Sequence, residues 1–151
     1  MHIWVDADAC PKAIKEILYK TAIRREVKLT LVANNYLNVP SSPLINTIRV
    51  GAGFNVADDE IARLAEKGDL VITADIPLAD QIVEKGATGL NPRGELYTEE
   101  NVKSILSMRN LMEELRSAGM AGGGPAPLGP KDKQLFTNQL DKFITRRLNE
   151  G

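Results

Sequence analysis

The chain has 151 residues, a length that suits one domain built around a single hydrophobic core, and we expect residues 1–151 to form one unit. Hydrophobic residues make up 43% and charged residues 26%, and no stretch approaches the roughly 20 apolar residues that span a bilayer. The formal net charge of −1 argues against a protein whose whole surface neutralises a nucleic-acid backbone.

The N-terminal residues and the single cysteine indicate the compartment. His2, Trp4 and Asp6 interrupt any apolar core that a signal peptide would need. Cys10 has no second cysteine with which to form an internal disulfide, and it excludes a cysteine-based zinc site. We therefore expect a cytoplasmic protein that does not associate with membranes.

The first third of the chain predicts three buried strands, because its apolar runs are short and are bounded by turn residues. They cover residues 2–5, 28–33 and 45–50. Between the first two, Pro11 opens a helix whose apolar residues recur at helical spacing. The third strand ends at Gly51-Ala52-Gly53, which predicts a turn or a close approach of the backbone to a ligand.

The rest of the chain continues with alternating helices and strands. Helices are predicted at 55–67, 77–85 and 98–117, and strands at 69–73 and 88–90. A Gly/Pro-rich segment at 119–130 predicts a flexible loop, and an amphipathic helix follows at 131–148. This order predicts an α/β fold: an open, mostly parallel five-stranded sheet with helices on both faces, a three-layer sandwich.

Acidic residues follow the predicted strands at the carboxyl edge of the sheet, where ligands bind in open α/β folds. Asp6 and Asp8 come after the first strand, and Asp75 comes after the fourth. The other acids expected at this edge lie on neighbouring helices: Asp58, Asp59 and Asp80. Carboxylates packed together repel one another unless a cation lies among them, and all-oxygen ligands favour Mg²⁺ or Mn²⁺. The sequence therefore predicts a divalent-metal site.

Each acid also has an ordinary structural interpretation. Asp8 would serve as the N-cap of the first helix, and Asp58 and Asp59 as first-turn acids that suit the helix dipole. Asp6 and Asp75 are harder to explain in this way, since each directly ends an apolar strand.

Three motifs carry a resemblance to a known family. The opening Asp6-Ala7-Asp8-Ala9-Cys10-Pro11 and the segment Ala74-Asp75-Ile76-Pro77-Leu78-Ala79 resemble the signatures of the YaiI/YqxD family of uncharacterised bacterial proteins, as does Gly122-Gly123-Gly124-Pro125. More distantly, an aspartate after the first strand and the Thr73-Ala74-Asp75 segment resemble the pattern of PIN-domain nucleases.

The PIN-like resemblance implies metal-dependent hydrolysis of a phosphodiester, in RNA, another nucleic acid or a smaller phosphate ester. Metal ligation is then expected of Asp6, Asp58, Asp59, Asp75 and Asp80. A direct part in catalysis is expected of Asp6, Asp8 and Asp75, although a second acid after the first strand departs from the simplest PIN pattern and leaves the role of Asp8 open.

Such a substrate needs phosphate-binding groups, for which the candidates are Lys12, Asn34, Arg109 and Lys131. Arg109 either contacts a phosphate or pairs with Glu113 one helical turn later, and the pair is favoured. Lys131 follows the flexible segment 119–130, which would act as a lid over the acidic edge or simply join two helices.

Two other functions fit parts of the pattern. Asp6-x-Asp8 resembles the acid pair of haloacid-dehalogenase-like phosphatases, although Pro11 starts the helix too early for the loop of that fold. A non-catalytic module that binds metal, nucleotide or RNA is equally compatible with the net charge. A cysteine phosphatase is disfavoured, because no arginine follows Cys10 within the next turn.

Overall fold

A computed structural model describes residues 1–53, 55–119 and 127–150. Its strands are β1 (His2–Asp6), β2 (Lys28–Ala33), β3 (Ile45–Arg49), β4 (Leu70–Ile72), β5 (Thr88–Leu90) and β6 (Leu96–Tyr97). Its helices are α1 (Lys12–Arg25), α2 (Val56–Leu64), α3 (Ile76–Glu84), α4 (Val102–Ser117) and α5 (Pro130–Asn149). The predicted α/β class is confirmed.

The strands form one sheet in the order β3-β2-β1-β4-β5-β6. All pairings are parallel except that of β6 with β5. The antiparallel β6 adds a sixth strand to the five expected from the sequence. With two residues it is too short to show a hydrophobic period. It exists because a turn at residues 91–94 closes a hairpin, with the Gly94 N–H donating to the Asn91 carbonyl at 2.9 Å.

Side chains alternate across the sheet and build a separate apolar layer on each face. Ile3 and Val5 of β1 pack with α1 and α5, where Phe136 is fully buried. Trp4 points to the other face and packs with α2 and α3 through Ile61 and Leu78. Helices cover both faces, as expected of strands that are apolar throughout.

Three boundaries differ from the predicted ones for local reasons. Helix α4 begins at Val102 rather than at residue 98, because the preceding residues form a turn in which the Thr98 N–H donates to Asn101 Oδ1 at 2.8 Å. Helix α2 ends at Leu64 rather than at residue 67, because Ala65 is extended and the chain then turns through Gly68 at φ +87°. Between Asp6 and Pro11 a short 3₁₀ turn, Ala7–Ala9, precedes α1. No helix in the described part of the chain is long and apolar enough to cross a membrane.

The sheet reverses its winding between β1 and β4, which lie side by side at its centre. The chain leaving β1 enters α1 on one face, and the chain leaving β4 enters α3 on the other. This divergence opens a crevice beyond the carboxyl ends of the two strands, where open α/β sheets bind ligands.

Candidate functional site

A cavity of about 350 Å³ lies in this crevice, and its walls carry four aspartates. We call it the acidic cleft. It is lined by Asp6, Asp8, Ala9, Asn34, Gly53, Asn55, Val56, Ala57, Asp58 and Asp75. Residues from the ends of β1, β2 and β4 and from the start of α2 therefore meet in one place.

Thr73 links the acids that follow β1 and β4. Its hydroxyl lies 3.4 Å from Asp6 Oδ2, to which it donates, and it accepts the backbone N–H of Asp75 at 3.0 Å. Asp75 in turn caps α3, since its Oδ1 accepts the N–H of Leu78 at 2.8 Å. These bonds engage Asp6 Oδ2 and Asp75 Oδ1. The second oxygen of each carboxylate bonds to neither Thr73 nor Leu78.

Asp58 reaches the same point from α2 and lies within hydrogen-bonding distance of both Asp6 and Asp75. Burial, reinforced by the charges of Asp6 and Asp75, raises the pKa of Asp58 to about 7. Burial also raises the pKa of Asp6, against the lowering effect of the Thr73 hydroxyl. Near neutral pH Asp58 therefore holds a proton that an isolated aspartate would have lost.

Asp8 has a different role, because it holds the loop that follows β2. Its Oδ2 accepts the backbone N–H of Asn34 at 2.7 Å and its Oδ1 accepts the side-chain amide of Asn35 at 3.2 Å. The side chain is exposed and faces the cleft. The structure therefore places Asp8 in the wall of the cleft, with its oxygens already engaged.

None of the ion pairs between described residues involves Asp6, Asp8, Asp58 or Asp75. Within the same residues, no group of three or more histidine, cysteine, aspartate or glutamate side chains is already arranged to hold a metal ion. The raised pKa of Asp58 lets this one acid of the cleft hold a proton near neutral pH instead. Their all-oxygen chemistry fits Mg²⁺ or Mn²⁺, but binding would require loss of that proton and rotation of side chains.

The start of α2 forms another wall of the cleft, and Asp58 itself belongs to its first turn. Val56 and Ala57 line the cleft, and Asn55 before them is left-handed (φ +64°) with no capping bond from its side chain. The first N–H groups of a helix have no acceptor within the helix, so this turn offers donors to an anion.

A second, smaller cavity of about 110 Å³ adjoins the acidic cleft and shares Asn55, Asp58 and Asp75 with it. We call it the side cavity. Its other lining residues are Asp59, Pro77, Leu78, Gln81 and Arg109. Arg109 forms the expected pair with Glu113, with Nη2–Oε1 at 3.0 Å. It nevertheless lies beside the acids that were predicted to bind metal.

Three other predicted residues line neither cavity. Asp80 faces α4 and pairs with Lys103 at 2.7 Å. Lys12 is exposed at the first residue of α1. Lys131 lies in the first turn of α5, next to Asp132, which pairs with Arg93 of the β5–β6 turn at 2.9 Å.

Most of the predicted flexible segment 119–130 falls at residues 120–126, outside the described part of the chain, and so does the Gly122–Pro125 motif. The hypothesis of a lid over the cleft stays a prediction.

Cys10 and His2 have structural environments. Burial raises the pKa of the Cys10 thiol to about 12, so it is not a nucleophile at neutral pH. His2 stacks on Trp4, with ring centroids 4.0 Å apart, and its Nε2 lies 2.6 Å from the Thr30 hydroxyl.

Two residues of the site were not predicted from the sequence. Thr73 bonds to Asp6, and Asn55 lines the cleft. A signal for Thr73 was present: residues alternate along β4, so Val71 and Thr73 share the face of Trp4 and Asp6. For Asn55 no such signal exists, since its left-handed backbone follows from how α2 is joined to the sheet.

Comparison with known proteins agrees with the motifs. The family model described as "Uncharacterized BCR, YaiI/YqxD family" matches residues 4–146. A UPF0178 protein of Maridesulfovibrio salexigens is 79% identical over 149 residues, 99% of each chain. UPF0178 proteins of Shewanella halifaxensis and Proteus mirabilis are 59% and 55% identical, each over 97% of both chains. No solved structure matches the chain. These matches do not confirm the PIN-like resemblance.

Proposed function

The chain belongs to the YaiI/YqxD family, and from its acidic cleft we propose that it is a hydrolase of phosphodiesters that depends on Mg²⁺ or Mn²⁺. The observation that carries the proposal is the convergence of Asp6, Asp58 and Asp75, none of which forms an ion pair with another described residue.

Placing three carboxyl groups together without a cation is costly for folding, because the charged forms repel and are partly withdrawn from water. Asp58 meets this cost by keeping a proton to about pH 7. A structural role alone would be served equally well by an asparagine at this position. A divalent cation that replaces the proton would offset the charge of all three carboxylates, and such a site would explain why aspartate stands at this position.

A bound divalent ion would activate a water molecule and offset negative charge on the scissile phosphate. Asp6, Asp58 and Asp75 would hold it, each through an oxygen that Thr73 and Leu78 do not engage. Thr73 orients two of these three acids and is a positioning residue. Asp8 keeps the Asn34 loop in place as the opposite wall.

The phosphate itself would lie against the start of α2, where Val56 and Ala57 line the cleft and the first N–H groups have no acceptor within the helix. Asn34 and Asn55 add amide groups to the lining of the cleft. The substrate is RNA or another chain of phosphodiesters.

The test is hydrolysis of bis-p-nitrophenyl phosphate and of a labelled single-stranded RNA, with and without millimolar Mn²⁺. We expect activity that requires the metal and falls at least about 100-fold in Asp6→Asn and in Asp75→Asn. Asparagine preserves the cap of α3, so loss in Asp75→Asn would not reflect unfolding.

Asp141→Asn is the matched control, since Asp141 pairs with Arg24 and Arg25 between α1 and α5, away from the cleft. It should hydrolyse both substrates as the wild type does. Activity that survives in Asp6→Asn, or that does not need a divalent ion, would refute the proposal.

A further inference from the structure

The side cavity is lined by a positively charged residue, Arg109, which has no role in the hydrolysis proposed above. Among the described residues that line the acidic cleft and the side cavity, Arg109 alone carries a positive charge. It comes from α4, whose residues beyond Val102 are exposed or half-buried and contribute little to the core. Packing therefore does not explain why this position holds an arginine at the edge of the cleft.

The contacts of Arg109 occupy one edge of its guanidinium group. Nη1 and Nη2 donate to the two carboxylate oxygens of Glu113 at 3.2 and 3.0 Å, and Nη1 also donates to the Asn110 side chain at 3.1 Å. In the described part of the chain, Nε and the second hydrogen of Nη2 have no acceptor. This second edge has the spacing of two oxygens of a phosphate.

Glu113 orients Arg109 through a bidentate pair. The pair is separated by one helical turn, and its side chains are 34% and 51% exposed, conditions in which an ion pair stabilises little. A bidentate carboxylate does fix the plane of the guanidinium, which reduces the entropy lost when the other edge binds an anion.

We propose that Arg109 binds a second, non-reacting phosphate in the side cavity, so that the substrate is a strand with at least two phosphates rather than a simple ester. The inference rests on the proposed function, because it takes the scissile phosphate to lie in the acidic cleft. The shared wall of Asn55, Asp58 and Asp75 makes the two cavities contiguous, as neighbouring phosphates of one strand require.

The experiment compares two substrates of the same chemistry in Mn²⁺: bis-p-nitrophenyl phosphate, with one phosphate, and a short single-stranded oligoribonucleotide. Arg109→Ala should raise KM for the oligonucleotide about tenfold with kcat little changed, and should leave the one-phosphate diester unaffected. Arg109→Lys should recover part of the loss, since lysine keeps the charge without the fork.

Arg116→Ala, an exposed arginine further along α4, is the matched control and should change neither substrate. Affinity for a fluorescein-labelled oligonucleotide, measured by anisotropy, separates this inference from the proposed function. If the wild type binds the strand without cleaving it and Arg109→Ala weakens binding, the hydrolase proposal fails and the Arg109 site stands. If the wild type cleaves but Arg109→Ala binds equally well, or loses both substrates equally, the Arg109 inference is overturned.

Discussion

Asp58 sets the electrostatic state of the cleft because it is the acid that holds a proton near neutral pH. It lies on α2, whereas Asp6 and Asp75 follow strands of the sheet, so folding itself brings the third carboxyl against the other two. Its pKa of about 7 lies well above the ordinary value of an aspartate, for reasons of burial first and neighbouring charge second. The folded state therefore takes up a proton near neutrality that the unfolded chain does not.

The substitution Asp58→Asn should stabilise the protein at pH 8 in the absence of divalent metal. Because the folded pKa is raised, ionised Asp58 destabilises the fold above pH 7, and this penalty disappears below the unfolded pKa near 4. We expect a gain of about 1 kcal/mol at pH 8 after allowance for partial exposure, or about 3 °C in Tm, and little change at pH 4.

Thermal melts in EDTA at both pH values would measure this effect. Asp59→Asn, one residue along α2 and exposed, is the matched control and should shift Tm little. A variant that melts below the wild type at pH 8 would mean that Asp58 stabilises the fold, and the repulsion argument would be wrong.

At the scale of elements, strand β1 joins the stability of the sheet to the position of the site. Alternation places His2, Trp4 and Asp6 on the face covered by α2 and α3. Trp4 donates its Nε1–H to Asp69 Oδ2 at 3.0 Å, and His2 stacks on the Trp4 ring. These contacts anchor the amino end of the strand whose other end delivers Asp6.

His2 should make stability depend on pH. Burial is the largest cause of its lowered pKa, with nearby Lys28 and the N-terminus acting in the same direction and Asp69 and Glu66 opposing. A lowered folded pKa means that the contribution of the neutral ring to stability is fully present above the unfolded pKa of 6.5 and is lost as the pH falls below 6.5 through the lower folded pKa.

We therefore expect His2→Phe, which keeps the stacking but does not titrate, to lose less stability than the wild type between pH 7.5 and pH 5.5. Urea unfolding at the two pH values measures the free energy of unfolding of each protein. Groups such as Asp58 titrate in both proteins, so their contributions cancel when the two losses are compared. Equal losses in the two proteins would show that His2 does not sense the pH.

The same elements show what the sequence could and could not predict. The apolar runs that end at Asp6 and Asp75 predicted both strands and the edge at which these acids meet, since parallel strands place their carboxyl ends together. Strand β6 could not be predicted, because a two-residue strand has no period and forms through its pairing with β5.

The direction in which each helical side chain points was the other feature that the sequence could not predict. Asp80 is five residues after Asp75, which is about 140° further around α3, and this rotation turns it toward Lys103 of α4. Asp58 and Asp59 are adjacent in sequence, yet the packing of α2 brings Asp58 into the acidic cleft and leaves Asp59 at the side cavity. Both differences depend on helix orientation, which the hydrophobic pattern fixes only approximately.

At the scale of the whole molecule, a net charge of −1 conceals a separation of charge between the two edges of the sheet. The carboxyl edge holds the acidic cleft. At the amino edge a cavity of about 470 Å³ is lined by Lys67, Arg146 and Arg147, with Arg147 Nε donating to the Gly68 carbonyl at 3.0 Å. The acids of the cleft therefore gain little compensation from these basic residues, and Arg109 is the one positively charged residue among the described residues that line the cleft and the side cavity.

This separation leads to the prediction that millimolar Mn²⁺ or Mg²⁺ raises Tm. A ligand that binds the native state alone stabilises it by RT ln(1 + [L]/Kd), about 2.7 kcal/mol at one hundred times Kd. For a chain of this size that corresponds to about 5 to 10 °C. Melts at pH 8 with increasing Mn²⁺ would measure the shift, with NaCl at equal ionic strength to account for screening.

The shift should disappear in Asp6→Asn and persist in Asp141→Asn, because the first variant removes an oxygen ligand from the cleft and the second changes an exposed pair between α1 and α5. Asp58→Asn, though more stable without metal, should also fail to respond. Opposite effects of one substitution on stability and on the metal response are what distinguish a cation site from a merely repulsive cluster. If all variants respond to Mn²⁺ as the wild type does, the ion binds elsewhere and the acidic cleft is not a metal site.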